Sequence, residues 1–255
     1  MCRLLAYASR TPVTLTDLFG ADELAEFVEL SKTHCDGWGL AYAQEEGVGR
    51  IRVPDPAHSS PEFVEVSQEH RSDLAIAHVR WATDDLAITL ANTHPFTDGR
   101  LAFAHNGAIR PAQALDALLG PGVRSSLQGT TDSERYFLAV AERSHRMDPA
   151  DALAATTTAI ANSGVDFTSL NAMLVTDREL IAVNRYRPGS ERERGEGPDY
   201  YRLKYRVTPD AVVITSSGWG GGWHTLGNGE MLVVQRGSLE LDIRRFDEVD
   251  AAEAA

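Results

Sequence analysis

Short apolar or alternating segments, each bounded by turn residues, recur along this chain of 255 residues. Such a pattern, rich in β-branched side chains, is typical of β-strands. Tight turns at 176–178 and 236–238 join neighbouring segments, and hairpins of this kind favour antiparallel sheets. The pattern predicts strands at 3–9, 38–43, 74–81, 101–105, 170–176, 180–186, 201–207, 211–216, 231–235 and 239–246.

Four further segments show helical periodicity instead. They are residues 22–32, 111–119, 132–145 and 149–162. The first places Leu24, Phe27, Val28 and Ser31 on one stripe, and the last ends at Ser163-Gly164, a typical C-terminal cap. Strands and helices come in blocks rather than in strict alternation, so we expect an α+β layered fold with at least two antiparallel sheets. The charged segment 187–199 is predicted to be a surface loop.

Composition and charge narrow the classes of partner. The chain has 24 Lys and Arg against 37 Asp and Glu, a formal net charge of −13. A surface this negative repels phosphate backbones and anionic lipids, so we expect neither nucleic acid nor a membrane as partner. No apolar run is long enough to cross a bilayer. The two cysteines, Cys2 and Cys35, do not form a disulfide framework and predict a cytoplasmic location.

Cys2 is the first candidate for chemistry. A cysteine after the initiator Met permits removal of Met1, and it then carries a thiol and an α-amino group on one residue. The reference pKa of such an amine, about 7.7–8.0, suits a general base near neutral pH. One residue would then supply both nucleophile and base. Taken alone, the residue favours a small buried side chain that leads a first strand, because free cysteines are commonly buried and inert.

Two segments that follow apolar runs offer groups for an amide substrate. Asn106 and Gly107, after the run 101–104, supply an amide and a backbone N–H of the kind that stabilises an oxyanion; alone, they are also a common turn signal. Arg80 closes a predicted strand and presents a planar fork that pairs both oxygens of a carboxylate, with the Thr83 hydroxyl close by.

The segment Thr131 to Glu134 begins a predicted helix. Thr131 with Glu134 forms a capping box, and an acidic residue at 132 is favourable in the first helical turn. Asp132 is also placed to hold a substrate ammonium group, and the two roles are compatible.

A metal site is the alternative chemistry. His34, Cys35, Asp36, His94 and His105 are metal-ligating residue types, but their spacing lacks the short repeated pattern of a zinc site.

In chain order, these segments resemble one family. The motifs are Met1-Cys2, Asp36-Gly37-Trp38-Gly39, Arg80-Trp81-Ala82-Thr83, His94-Pro95, His105-Asn106-Gly107 and Thr131-Asp132-Ser133-Glu134. Together they resemble the class II glutamine amidotransferases, which belong to the N-terminal nucleophile hydrolases. The combination is specific, although no single motif is.

The resemblance implies a fold and a reaction. The fold is a four-layer αββα sandwich, formed here by one domain over residues 2–250. In the reaction, Cys2 attacks the side-chain amide of glutamine, or of a γ-glutamyl compound, and forms a γ-glutamyl thioester. The resemblance implies no metal and no organic cofactor.

The resemblance also implies roles for individual residues. Asn106 and the Gly107 N–H would form the oxyanion hole. Arg80, helped by Thr83, would hold the α-carboxylate, and Asp132 would hold the α-ammonium. Trp81 and His94 match positions that shape the pocket.

The chain departs from parts of the family in ways that leave the acceptor open. Asp84 and Asp85 follow Thr83 where sugar-synthesising members often carry His-Gly, and Phe96 replaces a second His. We expect no synthase domain after Ala255. The chain therefore looks like the small stand-alone members, including the γ-glutamyl amidohydrolases of ergothioneine biosynthesis, whose strand usually carries Arg-Ser-Ala-Thr where this chain has Trp81.

The resemblance is compatible with more than one function. The chain is expected to be a stand-alone amidohydrolase acting on a small-molecule substrate. The alternative is a glutaminase subunit that delivers ammonia to a separate synthase partner. A metal-dependent hydrolase and a catalytically degenerate binding protein are the remaining alternatives, and a homo-oligomer is left open.

Overall fold

A computed structural model describes residues 2–82, 86–192, 196, 197, 199–218 and 220–246. Within this part of the chain there are thirteen strands. They are β1 (Arg3–Val13), β2 (Trp38–Ala43), β3 (Val48–Val53), β4 (Ser72–Val79), β5 (Phe96–Thr97), β6 (Ala102–Arg110), β7 (Asp166–Val175), β8 (Glu179–Asn184), β9 (Lys204–Val207), β10 (Ala211–Thr215), β11 (His224–Thr225), β12 (Glu230–Gln235) and β13 (Leu241–Arg245).

The described residues also form five α-helices and four short 3₁₀ segments. The helices are α1 (Leu15–Glu29), α2 (Pro61–Glu69), α3 (Pro121–Arg124), α4 (Asp132–Arg143) and α5 (Pro149–Asn162). The 3₁₀ segments are Leu30–Lys32, Ala57–Ser59, Leu90–Asn92 and Ala112–Leu118.

The strands form two antiparallel sheets. One sheet has seven strands in the order β11-β9-β10-β1-β4-β2-β3, and the other has six in the order β13-β12-β8-β7-β6-β5. In the first sheet, β1 pairs with β4 so that Leu4 lies opposite His78. In the second, β6 pairs with β7 so that Asn106 lies opposite Asn171.

Three apolar layers hold the sheets and helices together. Leu4, Ala6 and Ala8 of β1 pack between the two sheets, against Ala102 and Ala104 of β6. The opposite face of the first sheet packs on α1 and α2, and that of the second sheet packs on α4 and α5. Since successive side chains on a strand alternate between faces, even-numbered residues of β1 and β6 point into the inter-sheet layer. The predicted four-layer αββα sandwich is confirmed.

Most predicted helices occur, with corrections to their bounds. Residues 149–162 form α5 as predicted, and α4 ends two residues before the predicted end. The first helix begins earlier than predicted, because Thr14 and Asp17 form a reciprocal capping box. It also contains Gly20 in a non-helical conformation. The segment after Pro111 is a 3₁₀ helix rather than an α-helix.

One correction affects the site directly. The sequence placed His105-Asn106-Gly107 at the end of a strand or in a turn, but β6 continues through them to Arg110. Pairing with β7 both before and after these residues keeps the strand extended. A bulge between Gly107 and Ile109 shifts the register without ending the strand. Strands β3, β5 and β11 were not predicted at all.

Two further predictions concern the surface. The predicted loop 187–199 is only partly within the described residues, where it forms turns. None of the described helices has the length and apolar character needed to cross a membrane.

Candidate active site

A narrow cleft opens where the start of β1, the end of β4 and the middle of β6 meet the start of α4. Its walls are Cys2, Arg80, Trp81, Ala82, Leu86, Asn92, His94, His105, Gly107, Thr131, Asp132 and Ser133. The cleft contains about 20 Å³ of free space, near the minimum that a single water molecule requires. The free space as it stands accommodates no more than about one water molecule.

Cys2 lies at the start of β1 and partly inside the cleft. Its Sγ lies 3.5 Å from the Trp81 backbone N–H, which donates to it, and 3.6 Å from the Trp81 carbonyl oxygen. Burial raises the pKa of the Cys2 thiol, whereas the Trp81 hydrogen bond and the nearby Arg80 charge oppose this rise. The group is thus held mainly as a thiol, and its activation requires a base.

Arg80 follows β4 directly and is 2% exposed. Its guanidinium donates to the carbonyl oxygens of Asp36 and Ala87, each at 3.3 Å. None of the described carboxylates forms an ion pair with it, although Asp36 and Cys2 are close enough to influence its pKa. Burial of a cation without a carboxylate partner is unfavourable. Arg80 is therefore prepared to pair with an anionic group of a ligand.

Asp36 ties the strand ends around Arg80 together, a role that the sequence did not suggest. Its carboxylate accepts a 2.7 Å hydrogen bond from the Ala82 N–H. Its backbone N–H donates to the Arg80 carbonyl, and the Arg80 N–H donates to the Gly37 carbonyl. The metal-ligand signal at Asp36 was weak in the sequence, and its contacts are those of a residue that orients the Arg80 segment.

By alternation along β6, the Asn106 side chain lies on the same face as Ala102 and Ala104, which pack in the inter-sheet layer. Its side chain is completely buried, yet neither its amide nitrogen nor its amide oxygen has a hydrogen-bond partner among the described residues. A buried amide without partners is costly, and such groups in native structures commonly mark functional sites. The amide is therefore available to a ligand.

Gly107 completes this part of the wall. A Cβ at this position would lie 1.8 Å from the Ser169 carbonyl oxygen, so β7 approaches too closely for any side chain. Only glycine permits this approach.

Asp132 is the first residue of α4 and lies on the opposite wall. Its two oxygens accept hydrogen bonds from the backbone N–H groups of Ile109, at 2.7 Å, and Ser133, at 2.9 Å. The carboxylate is thus fixed in position. Each carboxylate oxygen can accept a further bond, so these contacts leave room for a ligand donor.

His105 and Ser133 lie behind Asp132. His105 Nε2 is 3.0 Å from the Ser169 carbonyl oxygen, which only accepts, so this nitrogen carries the proton. The Ser133 hydroxyl then donates to Nδ1 across 2.9 Å. Burial lowers the pKa of His105, against the effect of Asp132. A neutral His105 with one defined tautomer follows.

Two further histidines lie deeper. The rings of His78 and His94 are 4.3 Å apart, and both are buried. Burial, with the Arg80 charge as a smaller contribution, lowers the pKa of His78 to about 3. Burial also lowers the pKa of His94 well below its usual value. Both rings are therefore neutral near pH 7, and His94 lines the cleft as an uncharged side chain.

Asn92 is a wall residue whose position the sequence did not reveal. Its amide donates to the Ala87 carbonyl at 3.1 Å, and its oxygen accepts from the Thr130 N–H at 2.9 Å. It thereby connects the segment after Trp81 to the loop before α4. Its place in the motif that leads into His94-Pro95 was the only available signal.

Six of the predicted site residues line the cleft: Cys2, Arg80, Trp81, His94, Gly107 and Asp132. Asn106 is fully buried and lies on β6 between the lining residues His105 and Gly107. Thr83 lies outside the described residues. Among the residues that are described, there is no group of three or more His, Cys, Asp or Glu placed to hold a metal ion.

Residues 1–253 match the family model for class-II glutamine amidotransferases. The chain belongs to this family. Curated relatives include the "Probable glutamine amidotransferase DUG3" of Saccharomyces cerevisiae, which is 28% identical over 157 residues, covering 54% of this chain and 44% of that protein.

A second curated relative is the gamma-glutamyl-hercynylcysteine sulfoxide hydrolase of Mycobacterium tuberculosis. It is 37% identical over 76 residues, which cover 30% of this chain and 33% of that protein. The matched segments span less than half of either relative.

The fold is shared over the whole chain with a glutamine aminotransferase class-II domain protein from Silicibacter pomeroyi. The two structures superpose with a TM-score of 0.68 at 24% identity, covering 96% of this chain and 99% of the other. The αββα sandwich is therefore the fold of class II glutamine amidotransferase domains.

Proposed function

We propose that the protein is a cysteine-dependent amidohydrolase that cleaves glutamine or a γ-glutamyl conjugate to glutamate. The observation that carries this proposal is the meeting of Cys2, an Arg80 without a carboxylate partner, and Asp132 along one cleft. A thiol nucleophile, a cation for the α-carboxylate and an anion for the α-ammonium are what a γ-glutamyl amide requires.

The proposed reaction begins with Met1 removed. The Cys2 sulfur bonds to the γ-carbonyl carbon, and its proton passes to the Cys2 α-amino group. The Asn106 amide and the Gly107 N–H would stabilise the resulting oxyanion. As the C–N bond breaks, the proton goes to the departing nitrogen and a γ-glutamyl thioester remains. Water then hydrolyses the thioester to glutamate and restores the thiol.

Substrate binding is assigned to the charged walls of the cleft. Arg80, with Thr83, would bind the α-carboxylate, and Asp132 the α-ammonium, while Trp81 and His94 shape the pocket. We treat residues 2–250 as one domain. A nucleophilic thiol must stay reduced, which supports a cytoplasmic location.

The choice between an amidohydrolase and an ammonia-delivering subunit depends on the leaving group. The relative named as a hydrolase of a γ-glutamyl compound favours the amidohydrolase. A glutaminase that serves a separate synthase partner is the alternative.

A panel of substrates tests the proposal. Purified protein is expected to release glutamate from glutamine or from γ-glutamyl amines and thiols, and not from matched α-glutamyl amides. The release is expected to be insensitive to chelators. If no γ-glutamyl compound is turned over, the enzyme assignment fails; faster turnover of a conjugate than of glutamine identifies an amidohydrolase.

Arg80→Lys is expected to raise KM for the best substrate by roughly tenfold or more, because lysine lacks the planar fork that binds both carboxylate oxygens. Steady-state kinetics measure this. Arg10→Lys, a change at an exposed position on β1, is the matched control and should leave KM unchanged. An unaltered KM in Arg80→Lys would place the carboxylate contact elsewhere.

A further inference from the structure

A second cavity lies at the open edge of the sandwich, where edge strand β3 faces edge strand β5. It contains about 190 Å³ of free space, less than the ~300 Å³ of typical small-molecule sites. Arg50 and Arg52 line one side, and Phe96 and Phe137 line the other. The size suits a small ligand or one end of a larger one.

Arg50 and Arg52 enter this cavity from the same face of β3. Alternation along the strand places them with Val48, which packs in the inter-sheet layer. Each makes one hydrogen bond among the described residues, from Arg52 to the Thr93 carbonyl at 2.8 Å and from Arg50 to the Pro95 carbonyl at 3.4 Å. A guanidinium has five N–H donors, so most donors of each side chain are not used by these contacts.

The two positive charges lack carboxylate partners. No ion pair to Arg50 or Arg52 occurs among the residues that the structure describes. Burial and, to a smaller extent, the neighbouring Arg50 charge lower the pKa of Arg52 to about 10. The burial of two positive charges and the repulsion between them are both unfavourable. An anion bound between them would reduce both costs.

The acidic residues that line the cavity are already engaged. Glu134 accepts hydrogen bonds from the backbone N–H groups of Gln128 and Gly129, each at 2.8 Å. Asp98 pairs with Arg100 at 2.9 Å. Neither carboxylate is within ion-pair distance of the two β3 arginines. Burial lowers the pKa of both guanidinium groups, and the Glu134 charge opposes this only in part.

We propose that this cavity is a binding site for a small oxyanion, a carboxylate or a phosphate group, held by the paired forks of Arg50 and Arg52. The site is distinct from the cleft at Cys2. It lies directly behind the cleft wall, because the carbonyls that Arg50 and Arg52 hold flank His94. Inward-facing charges on an edge strand can instead block pairing with another strand. If that is the role of Arg50 and Arg52, no anion binds in the cavity.

Isothermal titration of the full chain with inorganic phosphate and, separately, with succinate tests the proposal. At least one anion is expected to bind saturably, and the tighter of the two identifies the preferred group. Arg52→Gln should weaken binding by about tenfold or more, because a bidentate charged contact is lost, and Arg52→Lys should weaken it less. Arg10→Gln, which removes an equal but exposed charge, should bind as the unmodified protein does.

A second measurement needs no variant. The bound anion should protect the peptide containing residues 50–52 from phenylglyoxal, as followed by mass spectrometry, while Arg10 stays reactive. Absence of saturable binding by both anions overturns the proposal. Binding that is equal in the Arg52→Gln protein, or that gives no protection of residues 50–52, also overturns it.

Discussion

Cys2→Ala is expected to abolish glutamate release while leaving the fold intact. Loss of the nucleophile in a hydrolase lowers kcat by a factor on the order of 10⁴–10⁶. The Cys2 side chain is only partly buried and makes two long contacts with Trp81, so its removal should change the free energy of unfolding little. Glutamate release with the best substrate, measured beside thermal unfolding, checks both expectations.

Cys35→Ala is the matched control. Cys35 is the other free thiol, it is exposed, and it should be dispensable. Intact-mass measurement on the active protein is expected to show a chain that begins at Cys2. Full activity in Cys2→Ala, or in a chain that retains Met1, would contradict the proposed mechanism.

Asn106→Ala is expected to lower kcat by roughly 10²–10³, the usual effect of removing one oxyanion donor. Its stability should hardly change, because the Asn106 amide has no hydrogen-bond partner to lose among the described residues. KM should change less than kcat, since an oxyanion forms only in the transition state. Steady-state kinetics with the best substrate, together with denaturant unfolding, measures all three quantities.

Asn171 offers a control on the neighbouring strand. It lies opposite Asn106 and is equally buried. However, its amide donates to the Tyr201 carbonyl and its oxygen accepts from the Arg185 N–H. Asn171→Ala should therefore destabilise the fold, by about 1–3 kcal/mol. An undiminished kcat in Asn106→Ala would remove this residue from the oxyanion hole.

Local patterns were enough to predict the layers of this fold. Strands such as β2 and β10, and helices such as α5, carry continuous apolar or periodic runs and were found close to their observed bounds. Edge strand β3 was missed because its inward positions carry Arg50 and Arg52, which interrupt the apolar alternation. The segment after Pro111, which was predicted to be an α-helix, is a 3₁₀ helix.

In the candidate site, too, some properties follow from the local sequence and others only from the tertiary structure. Residue identity and order, from Cys2 to Asp132, are properties of short motifs, and they predicted which side chains to compare. Whether those side chains have hydrogen-bonding groups left for a ligand is not decided by their neighbours in the sequence. Asn106 lies within a strand rather than in a turn because β7 binds its backbone.

Whether Arg80 has a carboxylate partner depends equally on distant segments. Its hydrogen bonds go to carbonyls of Asp36 and Ala87, which no pattern around residue 80 specifies. The local sequence therefore determines the apolar faces of the helices and strands and the identity of the reactive side chains, because these depend on residues a few positions apart. The packing of the two sheets sets burial, charge compensation and unused hydrogen-bonding capacity, because these depend on atoms brought together from remote parts of the chain.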